Sequence, residues 1–111
     1  MPSEYIPQRG DIILLDEVQR ETSKQTGRIP GLVISPKEYN GKTGMVIFCL
    51  ISERIENYPF EVKIPVNPKI SGVVLSDRIR TIDWRQRNTE LLIKFPNEAL
   101  KKVIMKLKIL L

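Results

Sequence analysis

The sequence contains no histidine. This absence excludes Ser-His-Asp and Cys-His catalytic groups, zinc sites built on histidine, and ribonuclease mechanisms that use histidine for proton transfer. Cysteine is nearly absent as well, because Cys49 is the single one and it lies within an apolar run at residues 45–51. We therefore expect a buried thiol, no disulfide and a reducing, cytoplasmic location.

Long apolar runs and cofactor motifs are also missing. No run approaches the roughly 18 residues that a membrane helix needs. Residues 1–5 lack the basic and apolar segments of a secretory signal. The sequence has no CxxC, no GxGxxG and no phosphate-binding loop pattern. We expect no membrane insertion, no cofactor and no metal site.

The composition that remains is that of one small globular domain spanning residues 1–111. Hydrophobic residues make up 41% of the chain and charged residues 28%, which suits a soluble domain with a modest core. The net charge of +5 favours an anionic partner such as nucleic acid.

Short apolar or alternating runs predict a mainly β fold. The predicted strands are residues 11–16, 31–35, 45–51, 60–64, 72–75, 77–84 and 91–95. A long polar loop is predicted at residues 17–27, and the pair Asn40-Gly41 predicts a turn. The run at residues 45–51 is apolar throughout and is expected to be a central strand.

The last residues change to helical spacing. Leu100, Val103 and Leu107 fall on one face of a predicted helix, with Leu110 and Leu111 continuing the pattern. Lysines occupy the other face and are predicted to be solvated, and Asn97 is predicted to cap the helix. The expected architecture is a small, strongly bent, mainly antiparallel sheet closed by a C-terminal helix.

The segment Gly27-Arg28-Ile29-Pro30 leads into the second predicted strand. Proline suits the first residue of a strand, because its φ is restricted and it has no N–H to donate. Arg28 would thus lie in a conformationally restricted segment just before a strand, where its side chain could bind a phosphate. Alternatively, Arg28 is a solvated loop arginine.

Five segments in order resemble the MazF/PemK toxin family. Three of them resemble the family as a whole: Arg9-Gly10-Asp11-Ile12, Gly27-Arg28-Ile29-Pro30 and the segment at residues 77–83. The segments at residues 39–45 and 58–62 resemble its MazF branch. Nearly the whole chain is covered, so the resemblance rests on order and separation as well as on the individual motifs.

The resemblance implies an SH3-like barrel of the CcdB/PemK type and a homodimer. It implies a toxin of a type II toxin–antitoxin system that cleaves single-stranded RNA at short motifs without a metal. The ribose 2′-hydroxyl would attack the adjacent phosphate and leave a 2′,3′-cyclic phosphate. The expected protein partner is an antitoxin whose acidic, apolar C-terminal tail fills the RNA groove.

The resemblance, together with the arginines clustered around Trp84, gives candidate site residues. Arg28 and Ser52 are the catalytic candidates, and the RNA-binding candidates are Arg20, Lys24, Gln25, Arg54, Arg85 and Arg87. Trp84 lies beside two of these arginines and is either a stacking platform for a base or a core residue.

Position 29 departs from the family pattern. The family usually has its catalytic arginine directly before the proline, where this chain has Ile29, and it usually has a glutamate where this chain has Lys24. In an extended segment, a shift of one residue turns a side chain to the opposite face. Three outcomes are open: Arg28 acts from the adjacent position, Arg20 or Arg85 replaces it, or the protein binds RNA and antitoxin with little cleavage. A non-enzymatic gyrase poison on the same fold is a further alternative.

Overall fold

A computed structural model describes residues 5–17 and 27–111. Six strands form one antiparallel sheet in the order β4-β5-β3-β2-β1-β6. The strands are β1 Asp11–Asp16, β2 Arg28–Val33, β3 Met45–Ser52, β4 Glu61–Lys63, β5 Val73–Asp83 and β6 Glu90–Lys94, and the helices are α1 Lys37–Thr43 and α2 Asn97–Ile109. The predicted mainly β fold with a bent antiparallel sheet and a C-terminal helix is confirmed, and β3 is central as expected.

The sheet carries a separate apolar core on each side. On one side, here called the α2 side, Ile12, Leu32 and Cys49 pack with Val103 and Leu107 of helix α2. The opposite side, called the Trp84 side, carries a second core with these buried members: Ile13, Leu15, Val33, Val46, Phe48, Ile82 and Trp84. Alternate residues of β1, β2 and β3 therefore belong to opposite cores, as the period of a strand requires.

The predicted burial of Cys49 is confirmed, and the structure decides between the two alternatives for Trp84. Cys49 is fully buried, and this burial raises the pKa of its thiol to about 12. Trp84 is 5% exposed and its indole N–H donates to the carbonyl of Asn40 at 2.9 Å. The tryptophan is thus a core residue, and the alternative of an exposed stacking platform is excluded.

Strand β5 was predicted as two strands and is one. It pairs with β4 and with the end of β3 through its first residues, and with the start of β3 through its last residues. Between these two regions the β3–β5 register shifts, since Ile51 pairs with Val74 whereas Cys49 pairs with Ile79. This irregularity bends β5, so that one strand can pair in both halves of the curled sheet.

The predicted turn at Asn40-Gly41 is wrong, because residues 37–43 form helix α1. The Asn40 side chain is fully buried and donates to the carbonyls of Pro7 at 2.7 Å and Ser35 at 3.2 Å. These contacts stabilise a helix that is too short to be stable by itself. Gly44 ends it with φ of 75°, the left-handed conformation that glycine adopts readily.

Helix α2 differs from its prediction at both ends. The residue that caps its start is Pro96, with no side-chain cap, so Asn97 is the first helical residue and not the cap. The helix ends at Ile109, and Leu110 and Leu111 lie beyond it, 49% and 98% exposed. Neither helix of the described residues is long and apolar enough to cross a membrane.

Candidate active site

Ile29 and Ser52 both face the Trp84 side of the sheet. Strands β2 and β3 pair Leu32 with Cys49 and Gly31 with Leu50, where their pairing ends. Ile29 and Ser52 each lie two residues beyond this last pair, on the same face of their strands. Residues directly opposite each other in an antiparallel pair have side chains on the same face. Ile29 packs against the Trp84-side core, which agrees with this direction.

Arg28 points to the α2 side, away from Ser52. It pairs across the sheet with Asp16, and its Nε donates to that carboxylate at 3.0 Å. One terminal nitrogen donates to Glu90 Oε1 at 3.0 Å, and the other donates to the carbonyl oxygens of Leu14 and Asn88. The hydrogen bond to Glu90, with support from Asp16, raises the pKa of Arg28 above its ordinary value. The guanidinium therefore already has four acceptors.

Ser52 stands at the end of β3, where the chain turns. Its hydroxyl accepts the Arg54 backbone N–H at 3.0 Å. Gly72, with φ of 117°, lies directly against this turn, because a Cβ built there would be 2.1 Å from the Ser52 carbonyl oxygen. Any side chain at position 72 would displace the strand end that carries Ser52.

A cleft of about 210 Å³ opens beside Ser52. Its lining residues are Ser52, Arg54, Glu56, Tyr58, Glu61, Leu75 and Arg78. The Glu61 carboxylate holds one wall, since it accepts the backbone N–H groups of Glu56 and Asn57 at 2.9 Å each. The cleft thus brings a hydroxyl, a phenol and two arginines together at the end of β3.

Tyr58 is held within this cleft by Asp77. Its hydroxyl donates to Asp77 Oδ1 at 2.5 Å, and this hydrogen bond is the main reason that the pKa of Tyr58 is raised to about 12. Arg78 acts in the opposite direction on the pKa of the same phenol, so its positive charge is felt at Tyr58. Tyr58 consequently remains a protonated donor at neutral pH.

The two arginines of the cleft are paired differently. Arg54 is 80% exposed and has a loose ion pair with Glu56 at 3.5 Å. The Arg78 side chain, on β5, makes no hydrogen bond or ion pair with any of residues 5–17 and 27–111. The Arg80 side chain, two residues further along β5, likewise has no acceptor within those ranges. Sequence reasoning did not select either one as a site residue, although their spacing of two residues in a predicted strand signals a common face.

The other RNA-binding candidates are placed unequally. Arg85 stacks over the Trp84 ring at 5.0 Å and donates to the Gly41 carbonyl at 2.6 Å. Arg87 donates to the carbonyl oxygens of Asp16 and Glu17 at 3.3 and 2.5 Å. Both arginines therefore have structural partners, and neither lines the Ser52 cleft. Arg20, Lys24 and Gln25 lie outside the described residues, and the predicted roles of all these residues stay predictions.

A larger cleft, of about 350 Å³, lies on the α2 side. Its apolar wall is formed by Leu14, Pro30, Ile51 and Leu92. Residues 67–71, which include Lys69, form its rim. Arg28 belongs to this side of the sheet, so the two catalytic candidates of the sequence, Arg28 and Ser52, do not share a cleft.

A family model described as PemK-like, MazF-like toxin of type II toxin-antitoxin system matches residues 8–111. The chain belongs to this family. It is 39% identical over 87 residues, 78% of each chain, to the endoribonuclease toxin MazF of Escherichia coli strain K12. The MazF resemblance of the sequence is thereby confirmed.

Solved structures agree with this assignment. A crystal structure of MazE-MazF from Deinococcus radiodurans matches with a TM-score of 0.88 and 41% identity over 96% of both chains. A mycobacterial endoribonuclease in complex with its cognate antitoxin matches with a TM-score of 0.75 over 93% of this chain and 92% of that chain. Its identity is 19%, so this second likeness shows the fold alone.

Proposed function

We propose that this protein is the endoribonuclease toxin of a type II toxin–antitoxin pair and that it cleaves single-stranded RNA at short sequence motifs. The observation that carries the proposal is the family match over residues 8–111, together with a relative at 39% identity that is named an endoribonuclease toxin. The hydroxyl and arginines gathered at the Ser52 cleft suit a phosphate ligand. Messenger RNA as the substrate would place the protein in the cytoplasm.

The proposed reaction is an internal transesterification that needs no second substrate. The ribose 2′-oxygen forms a bond to the adjacent phosphorus, and the bond from phosphorus to the 5′-oxygen breaks. The proton lost from the 2′-hydroxyl is balanced by the proton gained by the leaving 5′-oxygen. Ser52 would donate its hydroxyl to a non-bridging oxygen, where negative charge develops in the transition state.

The proposed protein partner is an antitoxin with an acidic C-terminal tail. The net charge of +5 supports an anionic ligand on the Trp84 side, and so do the side chains of Arg78 and Arg80, which have no acceptor among residues 5–17 and 27–111. The Deinococcus MazE-MazF structure, at 41% identity, is a complex of that relative with MazE. A homodimer, as the family resemblance implies, completes the proposal.

The direct test incubates the purified protein with a long single-stranded RNA in the presence of EDTA. We expect discrete fragments whose ends are 5′-hydroxyl and 2′,3′-cyclic phosphate. Ser52→Ala serves as the matched variant and should slow cleavage by about 10²–10³-fold. Intact RNA after incubation of a varied pool of sequences with the wild-type protein would refute the proposed activity.

A second candidate function is binding of RNA and antitoxin with little cleavage. Ile29 favours it, because this apolar side chain lies on the same side of the sheet as Ser52, where the family usually has an arginine. The discriminating variant is Ile29→Arg. A wild-type protein that binds RNA without cutting it, and an Ile29→Arg variant that cuts, would establish the second candidate over the first.

A further inference from the structure

A phosphate bound beside Ser52 needs a positive charge to stabilise its transition state, and neither Ile29 nor Arg28 supplies one there. Ile29 has the correct direction and no charge, whereas Arg28 has the charge and the opposite direction. The Arg28 guanidinium would also have to leave two carboxylates and two carbonyl oxygens to reach the other side of the sheet. A phosphoryl transition state without a positioned positive charge is typically slower by orders of magnitude.

Strand β5 brings an arginine to this cleft from elsewhere in the sequence. Between the pairs Ile51–Val74 and Cys49–Ile79, β3 contributes one intervening residue and β5 contributes residues 75–78. Such an irregularity re-aims side chains and is common beside active sites. Arg78 is the last of these extra residues, and its side chain lines the same cleft as Ser52.

Arg78 is also available for a ligand. Arg9, Arg28, Arg54, Arg85 and Arg87 each have a protein acceptor. Among residues 5–17 and 27–111, Arg78 has none. Its neighbour Asp77 makes no ion pair with it, and the Asp77 carboxylate accepts the Tyr58 hydroxyl instead. The guanidinium can therefore give its donors to a phosphate, whose oxygens match their fork geometry.

We propose that Arg78 is a catalytic residue of this protein and holds the scissile phosphate together with Ser52, in the role that the family assigns to the position of Ile29. This inference rests on the proposed ribonuclease activity. The guanidinium donates to the non-bridging oxygens and stabilises the second negative charge that develops as the 2′-oxygen bonds to phosphorus. Arg80 has the same charge but does not line the Ser52 cleft, so the assignment is specific to position 78.

The test compares Arg78→Ala with Lys37→Ala on an RNA oligonucleotide that carries one mapped cleavage site. Lys37 is exposed in the first turn of α1, at the end of β3 remote from Ser52, and its removal changes the net charge equally. We expect Arg78→Ala to lower kcat by about 10²–10³-fold and Lys37→Ala to change it less than threefold. Binding of the oligonucleotide with a 2′-deoxyribose at the cleavage site should weaken less than tenfold in Arg78→Ala, because the main loss is in the transition state.

Two further variants separate a catalytic role from a structural one. Arg78→Lys keeps the charge without the fork and should recover part of kcat. Ile29→Arg added to Arg78→Ala should also restore cleavage, because it places a guanidinium on the side of the sheet where Ser52 lies. The assignment would be overturned if neither Arg78→Lys nor the double variant cleaved RNA faster than Arg78→Ala.

The outcomes distinguish this inference from the proposed function. A wild-type protein that cleaves no RNA overturns both. A wild-type protein that cleaves, with Arg78→Ala within tenfold of it, overturns the role of Arg78 alone. Arg78→Gln is the second variant should Arg78→Ala fold poorly, and the same limit of tenfold applies to it.

Discussion

Arg28→Ala should weaken the fold more than it weakens the chemistry. The guanidinium is 29% exposed and joins β1, β2 and β6 through Asp16, Glu90 and two carbonyl oxygens. A partly exposed ion pair contributes about 0.2–1 kcal/mol, and a hydrogen bond to a carbonyl contributes about 0.5–1.5 kcal/mol. Water can replace the exposed partners in the variant, so we expect a loss of about 1–3 kcal/mol in the free energy of unfolding.

Urea unfolding followed by the fluorescence of Trp84 measures this loss. The chain has one tryptophan, which is 5% exposed in the folded state, so its emission reports directly on the core of the Trp84 side. With a slope of about 1–3 kcal/mol per molar urea, the midpoint should fall by roughly 1 M. Wild type and variant must be compared at one protein concentration, since a dimer is stabilised by mass action.

A double-mutant cycle supplies the control for this prediction. Glu90→Gln removes the negative charge of one partner of Arg28 at a position that is 57% exposed, and the coupling energy with Arg28→Ala should be about 0.2–1 kcal/mol. The prediction would be refuted if Arg28→Ala changed the free energy of unfolding by less than about 0.5 kcal/mol but lowered the cleavage rate 100-fold. That result would assign Arg28 to the chemistry instead of the fold.

Two further predictions concern the core and the cleft. Gly31→Ala should destabilise the protein by about 1–3 kcal/mol or more, because the new Cβ would lie 2.1 Å from Cδ2 of the buried Phe48. The control is Gly41→Ala, whose Cβ would have no neighbouring atom closer than 3.6 Å. In urea unfolding this control should be neutral or stabilising. The Tyr58 phenol should ionise with a pKa of about 12 in the difference between the ultraviolet titrations of wild type and Tyr58→Phe. Because this pKa lies above the ordinary value of 10.0, the stabilisation from Tyr58 is complete below pH 10 and is lost as the pH rises through 12. A phenol that ionises near its ordinary value would show that the hydrogen bond to Asp77 is not formed in solution.

The strands were predictable where burial alone selects the residues. The runs that became β1 and β3 are apolar because both faces of a central strand lie against a core, and both predictions match within one residue. Helix α1 was not predictable, since Asn40-Gly41 favours a turn locally and only distant contacts reverse that preference. The Asn40 amide reaches Pro7, 33 residues away, and such a partner cannot be read from neighbouring residues.

The candidate site divides in the same way. The opposite directions of Arg28 and Ile29 follow from the period of an extended chain, and the register of β2 with β3 agrees with them. The partners of Arg28 do not follow from any local pattern, because Glu90 is 62 residues away. The common cleft of Ser52 and Arg78 likewise depends on an irregular register between two strands, which periodicity does not predict.

The sequence by itself determined the family, the alternation of side chains and the opposite directions of Arg28 and Ile29, because these are properties of motif order and local backbone geometry. Tertiary structure alone decided which arginines are occupied and which are available. A guanidinium is occupied only when carboxylates or carbonyl oxygens from other strands come within about 3 Å of it. That condition is met at Arg28 and not at Arg78 within the described residues, because β1 and β6 deliver acceptors to one side of the sheet and the bend of β5 presents an unpaired cation on the other.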